Sequence, residues 1–171
     1  MNEWDDNEYP LAYFITFRTY GSWQHGDERG SIDRYHNKFR GPRVPANLIL
    51  KNQQDRKLKS EPVLLNGPRR TVVDAAIRDV CSYRGWHLFA INVRTNHVHL
   101  VVSISNVRPD HALRDFKAYA TKGLRAAGLW EFGHSPWVDG GSKRYLWKDT
   151  SVSMACDYVI NGQGDDLPDF V

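Results

Sequence analysis

The stretch from Trp86 to Ile104 limits the fold more than any other part of this chain. Trp86–Val93 and His97–Ile104 are both rich in apolar and β-branched side chains, and only Arg94-Thr95-Asn96 separates them. Two such runs around a short polar connection predict an antiparallel hairpin. Successive side chains of a strand point to opposite faces. In the second strand, His97 and His99 therefore share one face while Val98, Leu100 and Val102 share the other. One face of the hairpin must be covered by apolar partners, and the other presents two imidazoles.

The flanking patterns supply those partners. Leu11–Phe17 reads as a first strand, ended by Gly21. Thr71 is a candidate N-cap for a helix over Val72–Tyr83, with Val73, Ala76, Ile77, Val80 and Cys81 at helical spacing and Gly85 as its stop. Pro109 opens a second helix to about Ala127, on which Leu113, Phe116, Ala120 and Leu124 make one apolar stripe. Gly140-Gly141-Ser142 then precedes a short strand, Tyr145-Leu146-Trp147, and Thr150 or Ser151 caps a last helix to about Gly162. Ala46–Leu50 and Val63–Leu65 suit either a short helix or strands. The order β, long insert, α, β, β, α, β, α predicts an α+β, ferredoxin-like (RRM-like) antiparallel sheet with helices on one face and a long basic insert after the first strand. A length of 171 residues predicts a single domain over 1–171, with residues 150–171 as a C-terminal helix and tail.

Composition narrows the function classes. Hydrophobic residues at 41% and charged residues at 25% exclude wholesale disorder. No apolar run approaches the ~20 residues that cross a bilayer. The opening Met1-Asn2-Glu3-Trp4-Asp5-Asp6 is acidic where a signal peptide is basic, so a cytoplasmic protein with no membrane partner is expected. Cys81 and Cys156 lack CxxC spacing and predict neither a disulfide framework nor a zinc site. The net charge of +3 is unevenly spread. Residues 1–10 form an acidic arm, whereas residues 28–70 carry eleven bases against four acids and invite a polyanion. Arg34, Lys38, Arg40 and Arg43 alternate there with Tyr35, His36 and Phe39, the cation-plus-ring pattern of single-strand binding. Lys117, Arg125, Lys143 and Arg144 extend the basic surface into the second half.

Two imidazoles on one strand face can converge on a divalent ion, although such pairs also occur as hydrogen-bonded or exposed residues. On the second helix Tyr119 lies about 100° from the centre of the apolar stripe, with Lys122 three residues later and Asp115 four residues earlier. That is the place of a boundary tyrosine, and also of one whose hydroxyl sits near a cation and a carboxylate. At its free pKa of ~10 such a hydroxyl needs a polarised substrate or a base to act as a nucleophile.

The chain resembles the single-tyrosine HUH transposases, which include insertion-sequence and REP-associated tyrosine transposases. The resemblance rests on His97-Val98-His99 followed by Tyr119, and spans roughly residues 10–163. It extends to Thr16–Trp23 with Gly26–Gly30, to Gly140–Trp147, and to Asp157-Tyr158-Val159-Ile160-Asn161-Gly162-Gln163-Gly164. It implies a metal-dependent endonuclease and strand transferase acting on single-stranded DNA near hairpins at the ends of a mobile element. Tyr119 would be the nucleophile that forms a 5′-phosphotyrosine link, with Lys122 steadying the phenolate or touching the scissile phosphate. His97 and His99 would hold Mg²⁺ or Mn²⁺. Many relatives place Gln or Asn four residues after the tyrosine, but here that position is Gly123. The resemblance then makes Gln163 the first candidate for a third ligand, ahead of Asp27, His25 or oxygens of water and substrate. It also implies a homodimer in which the tyrosine helix completes the partner's histidine site. The competing expectations are a non-catalytic ferredoxin-like nucleic-acid-binding module or domesticated relative, and a metal-dependent hydrolase that uses water.

Overall fold

The computed structural model describes residues 9–21, 61–165 and 167. In chain order the elements are β1 (Ala12–Arg18), α1 (Gly67–Arg84), β2 (His87–Val93), β3 (His97–Ser103), α2 (Pro109–Ala126), β4 (Ser142–Leu146) and α3 (Asp149–Asn161). The four strands form one sheet in the order β2-β3-β1-β4, antiparallel throughout. This is the expected ferredoxin-like arrangement. It puts β3 at the centre, where Thr16 of β1 lies on one side of His99 and Asn92 of β2 on the other.

Strand alternation divides the molecule into two cores. On one face Ile15, Phe17, Val98, Leu100 and Val102 meet Val73 and Ile77 of α1 and Phe116 and Leu124 of α2, all fully buried. Each such side chain contributes ~1.5–3 kcal/mol by leaving water. The two helices approach closely at Gly123, where a Cβ would lie 3.3 Å from Val72 Cγ1. The other face carries Phe14, Ala90, Val101 and Leu146, and α3 covers it with Ala155 and Val159. The first two helices thus share a face as expected, and the third packs on the opposite one. Asn92 Nδ2 fastens it by donating to Val159 O at 3.0 Å.

Several boundaries differ from the sequence expectation for local reasons. Helix α1 starts at Gly67, not Val72, because Asn66 caps it: its side-chain oxygen accepts from Arg69 N at 3.1 Å, with a proline in the first turn. Thr71, expected as the cap, instead donates to Gly67 O inside the helix. Strand β4 begins at Ser142 because Gly141 lets the chain run against β1, where a Cβ would sit 2.7 Å from Thr16 O. Val63–Leu65 is neither helix nor strand. Val63 N–H donates to Tyr20 O at 2.9 Å and Leu65 N–H to Thr95 O at 2.6 Å, while both side chains enter the first core. Residues 22–60, which hold Ala46–Leu50 and most of the basic insert, and residues 1–8 of the acidic arm lie outside the described residues. Among the described residues, no helix is long and apolar enough to cross a membrane.

Candidate functional site

The site forms where β3 passes beneath the end of α3. His99 is buried and His97 half-buried on the α3 face, with ring centroids 4.5 Å apart. Each imidazole is oriented through Nδ1. His97 Nδ1 donates to Asn96 Oδ1 at 2.7 Å, and His99 Nδ1 pairs with the Thr16 hydroxyl at 2.7 Å. An Nδ1 so occupied makes Nε2 the ring nitrogen that could meet a metal, and partners of this kind fix the tautomer and the ring orientation.

Helix α3 and the turn after it bring two more groups to the pair. Tyr158, half-buried, packs its ring 5.8 Å from that of His99 and 5.8 Å from that of Phe14. Gln163 follows through Gly162, where a Cβ would lie 2.7 Å from Tyr158 O and 2.9 Å from Tyr158 Cδ2, so the turn has room only for glycine. Gln163 Nε2 donates to Tyr158 O at 3.1 Å, which turns Oε1 toward His97 Nε2, 3.5 Å away. His97 Nε2 and Gln163 Oε1 thus lie close enough to share a proton or to converge on a cation. Two imidazole nitrogens and an amide oxygen are a donor set that a divalent ion such as Mg²⁺ or Mn²⁺ accepts. Among the described residues no three His, Cys, Asp or Glu side chains cluster, and the amide oxygen of Gln163 is a further donor within reach of His97.

Tyr119 and Lys122 are elsewhere. Both lie on α2, which packs against the opposite face of the sheet, so within one chain they do not meet His97 and His99. Asp115, expected beside the tyrosine, instead reaches Arg84 of α1 at 3.1 Å. Tyr119 shares its i, i+4 row with Asp115 and Gly123, the residues that face α1. Gly123 stands four residues after the tyrosine because α1 leaves little space there.

The predicted DNA contacts divide in three. Arg34, Lys38, Arg40 and Arg43, with His25 and Asp27, lie outside the described residues. Lys117, Arg125 and Lys143 gather around an open groove beside α2. Lys117 Nζ donates to Val138 O and Gly140 O, and burial pushes its pKa down to about 8. Lys143 bonds Asp110 and holds that carboxyl below its usual range. Arg144 points to the other face, its guanidinium 6.0 Å from the Phe14 ring.

Sequence reasoning did not single out Tyr158, which the structure places beside His99. Two signals pointed to it: its place in the block Asp157–Gly164, and the glycine where Tyr119 should have had an amide partner.

None of the curated proteins matches this chain. Among solved structures, it is similar to a protein of Deinococcus radiodurans R1 described as a putative transposase, at 14% identity and TM-score 0.46, over 96% of this chain and 100% of the other. It is also similar to a REP-associated tyrosine transposase bound to a REP hairpin, at 14% identity and TM-score 0.47, over 93% of this chain and 70% of that one. The family model "Transposase IS200 like" matches residues 57–157, more than half of the sequence, and the chain belongs to the IS200-like transposase family.

Proposed function

We propose that this protein cuts and rejoins single-stranded DNA at a divalent-metal site on the α3 face of its sheet, with Tyr158 as the nucleophile. The observation that carries this reading is the convergence of His97, His99, Gln163 and Tyr158 on one face. Transposase membership supplies the DNA substrate. A tyrosine beside a metal-ligating pair supplies a covalent route that conserves the energy of the phosphodiester for rejoining.

In that route the Tyr158 oxygen attacks phosphorus and the bond from phosphorus to the 3′ oxygen breaks. The phenol proton passes to water and the departing 3′ oxygen takes one up. A 5′-phosphotyrosine link and a free 3′-hydroxyl result, and attack by another 3′-hydroxyl reverses the step on a new strand. Bound at Nε2 of both histidines and Oε1 of Gln163, Mg²⁺ or Mn²⁺ would act as a Lewis acid that stabilises charge on the phosphate. Thr16 and Asn96 hold the two imidazoles in place for this, and Gly162 lets the Tyr158–Gln163 turn close on them. All four groups come from one chain, so the chemistry needs no helix exchange between subunits. A homodimer would serve instead to bring two hairpin-bearing element ends together.

The test is incubation with single-stranded oligonucleotides from the genomic flanks and Mn²⁺, read on denaturing gels. A protein–DNA adduct is expected that disappears with a chelator and in His97→Ala and His99→Ala. Tight binding to both flanks without any adduct would contradict the reading and leave a nucleic-acid-binding module.

A further inference from the structure

Lys117 stands in the middle of α2, on the side of the sheet away from the histidines. Half-buried, it donates to two backbone carbonyls in the segment that leads into β4, Val138 O at 2.7 Å and Gly140 O. An ammonium group has three N–H bonds and a neutral amine two. The two carbonyls therefore use both donors of the neutral amine, and its fourth tetrahedral position carries the lone pair. Loss of the third proton leaves both carbonyls satisfied. Burial pushes the pKa of Lys117 down to about 8; Asp139 opposes that shift, while Lys143 of β4 and Arg18 of β1 add to it. At pH 7.5 roughly a quarter of such amines are neutral, against about a thousandth at the ordinary value of ~10.4.

The surroundings of this amine are cationic. Lys117 lines an open groove of about 740 Å³ together with Arg114, one turn earlier on α2, Lys122 and Arg125, further along it, and Lys143 of β4. Asp110 is the one acidic residue on its walls, and Lys143 already engages it. Arg114 and Lys122 are exposed, so a small anion meets them at the surface of the groove. A partly neutral amine set among cations suits an electrophile that carries its own negative charge. A mixed anhydride of a carboxylic acid and phosphoric acid is such a molecule, with the anionic group bonded directly to the reactive acyl carbon.

We propose that Lys117 is a modification site for acyl phosphates, with the cations of the groove, Arg114 first among them, holding the phosphoryl group while the amine takes the acyl group. The Nζ lone pair attacks the acyl carbon, an N–C bond forms, and the bond from that carbon to the phosphate oxygen breaks. Phosphate leaves with the electron pair of that bond and takes up the proton that the nitrogen loses. The amide product has no charge and a single N–H, so either Val138 O or Gly140 O loses its donor. Acylation therefore loosens the segment that Gly141 brings against β1. None of this depends on the reading of the histidine site.

The test incubates the full chain with acetyl phosphate and maps acetylated lysines over time by peptide mass spectrometry. An uncharged acetyl donor, the N-hydroxysuccinimide ester, is run in parallel because it reads the amine without the anion site. With acetyl phosphate, Lys117 is expected to react at least about tenfold faster than Lys122, at a rate that levels off above about pH 8. Inorganic phosphate, and separately Arg114→Ala, are each expected to slow that reaction about fivefold or more while leaving the ester's rate within roughly twofold. Circular dichroism and thermal melting establish that Arg114→Ala is folded. Equal rates at Lys117 and Lys122, a Lys117 rate still rising steeply between pH 9 and pH 10, or a preference for Lys117 that neither phosphate nor Arg114→Ala reduces would overturn the proposal.

Discussion

Gln163 owes its orientation to a bond that does not involve the histidines: its amide nitrogen is held by Tyr158 O, and its oxygen faces His97 as a result. Truncation should therefore remove a donor without disturbing the strand beneath. Gln163→Ala is expected to lower Mn²⁺ affinity about tenfold or more, and Thr16→Val to lower it about 10–100-fold by releasing the His99 ring. Calorimetric titration of Mn²⁺ checks both, and unchanged affinity in Gln163→Ala would remove it from the ligand set. Gly162→Ala places a methyl group against Tyr158 and should shift its ring, slowing strand cleavage by about 10²-fold while leaving the fold intact. At this scale the sequence disclosed the histidine pair, because alternation in a strand is a local rule. It also raised Gln163 as a candidate. It did not disclose Tyr158, because the tyrosine that reaches a strand face depends on which helix covers that face, and neither Tyr119 nor Tyr158 carries that information in its own spacing.

The two helices on the first core are joined where α2 has least bulk. Gly123→Val would press a branched side chain into Val72 and Ala76 and should destabilise the protein by about 1–3 kcal/mol, measured as a lower urea midpoint. Beside that contact, Lys117 is held between two carbonyls, and burial lowers its pKa to about 8. Between about 8 and the ordinary ~10.4 the unfolded chain binds more protons than the folded one, so this lysine's contribution to stability rises with pH across that window. The stability of wild type relative to Lys117→Met should accordingly increase from pH 7.5 to pH 10. A constant difference would show that Lys117 is not desolvated. Elements with strong periodicity, the β2–β3 hairpin and α2, were legible in sequence to within a residue or two. The start of α1 was not, because Asn66 and Thr71 are equally good caps and only the tertiary contacts of Val63 and Leu65 decide between them.

Across the whole molecule, the sheet separates two surfaces of different make-up. One is a core closed by α1 and α2, whose outer side carries the basic groove, and the other holds the histidine pair under α3. The strand order followed from the pattern of elements, because a βαββαβ chain has few ways to bury its apolar faces. The side taken by α3 did not follow, since Ala155 and Val159 alone are fully buried on it and its anchor, the bond from Asn92 to Val159 O, joins residues far apart in sequence. That placement decides which tyrosine stands beside the histidine pair. Peptide mapping of the covalent protein–DNA adduct tests it most directly, by mass spectrometry on wild type, Tyr158→Phe and Tyr119→Phe. The account predicts a DNA-modified peptide containing Tyr158 in wild type and Tyr119→Phe, with adduct reduced at least about 10³-fold in Tyr158→Phe. Modification at Tyr119, or an adduct that survives Tyr158→Phe, would contradict it.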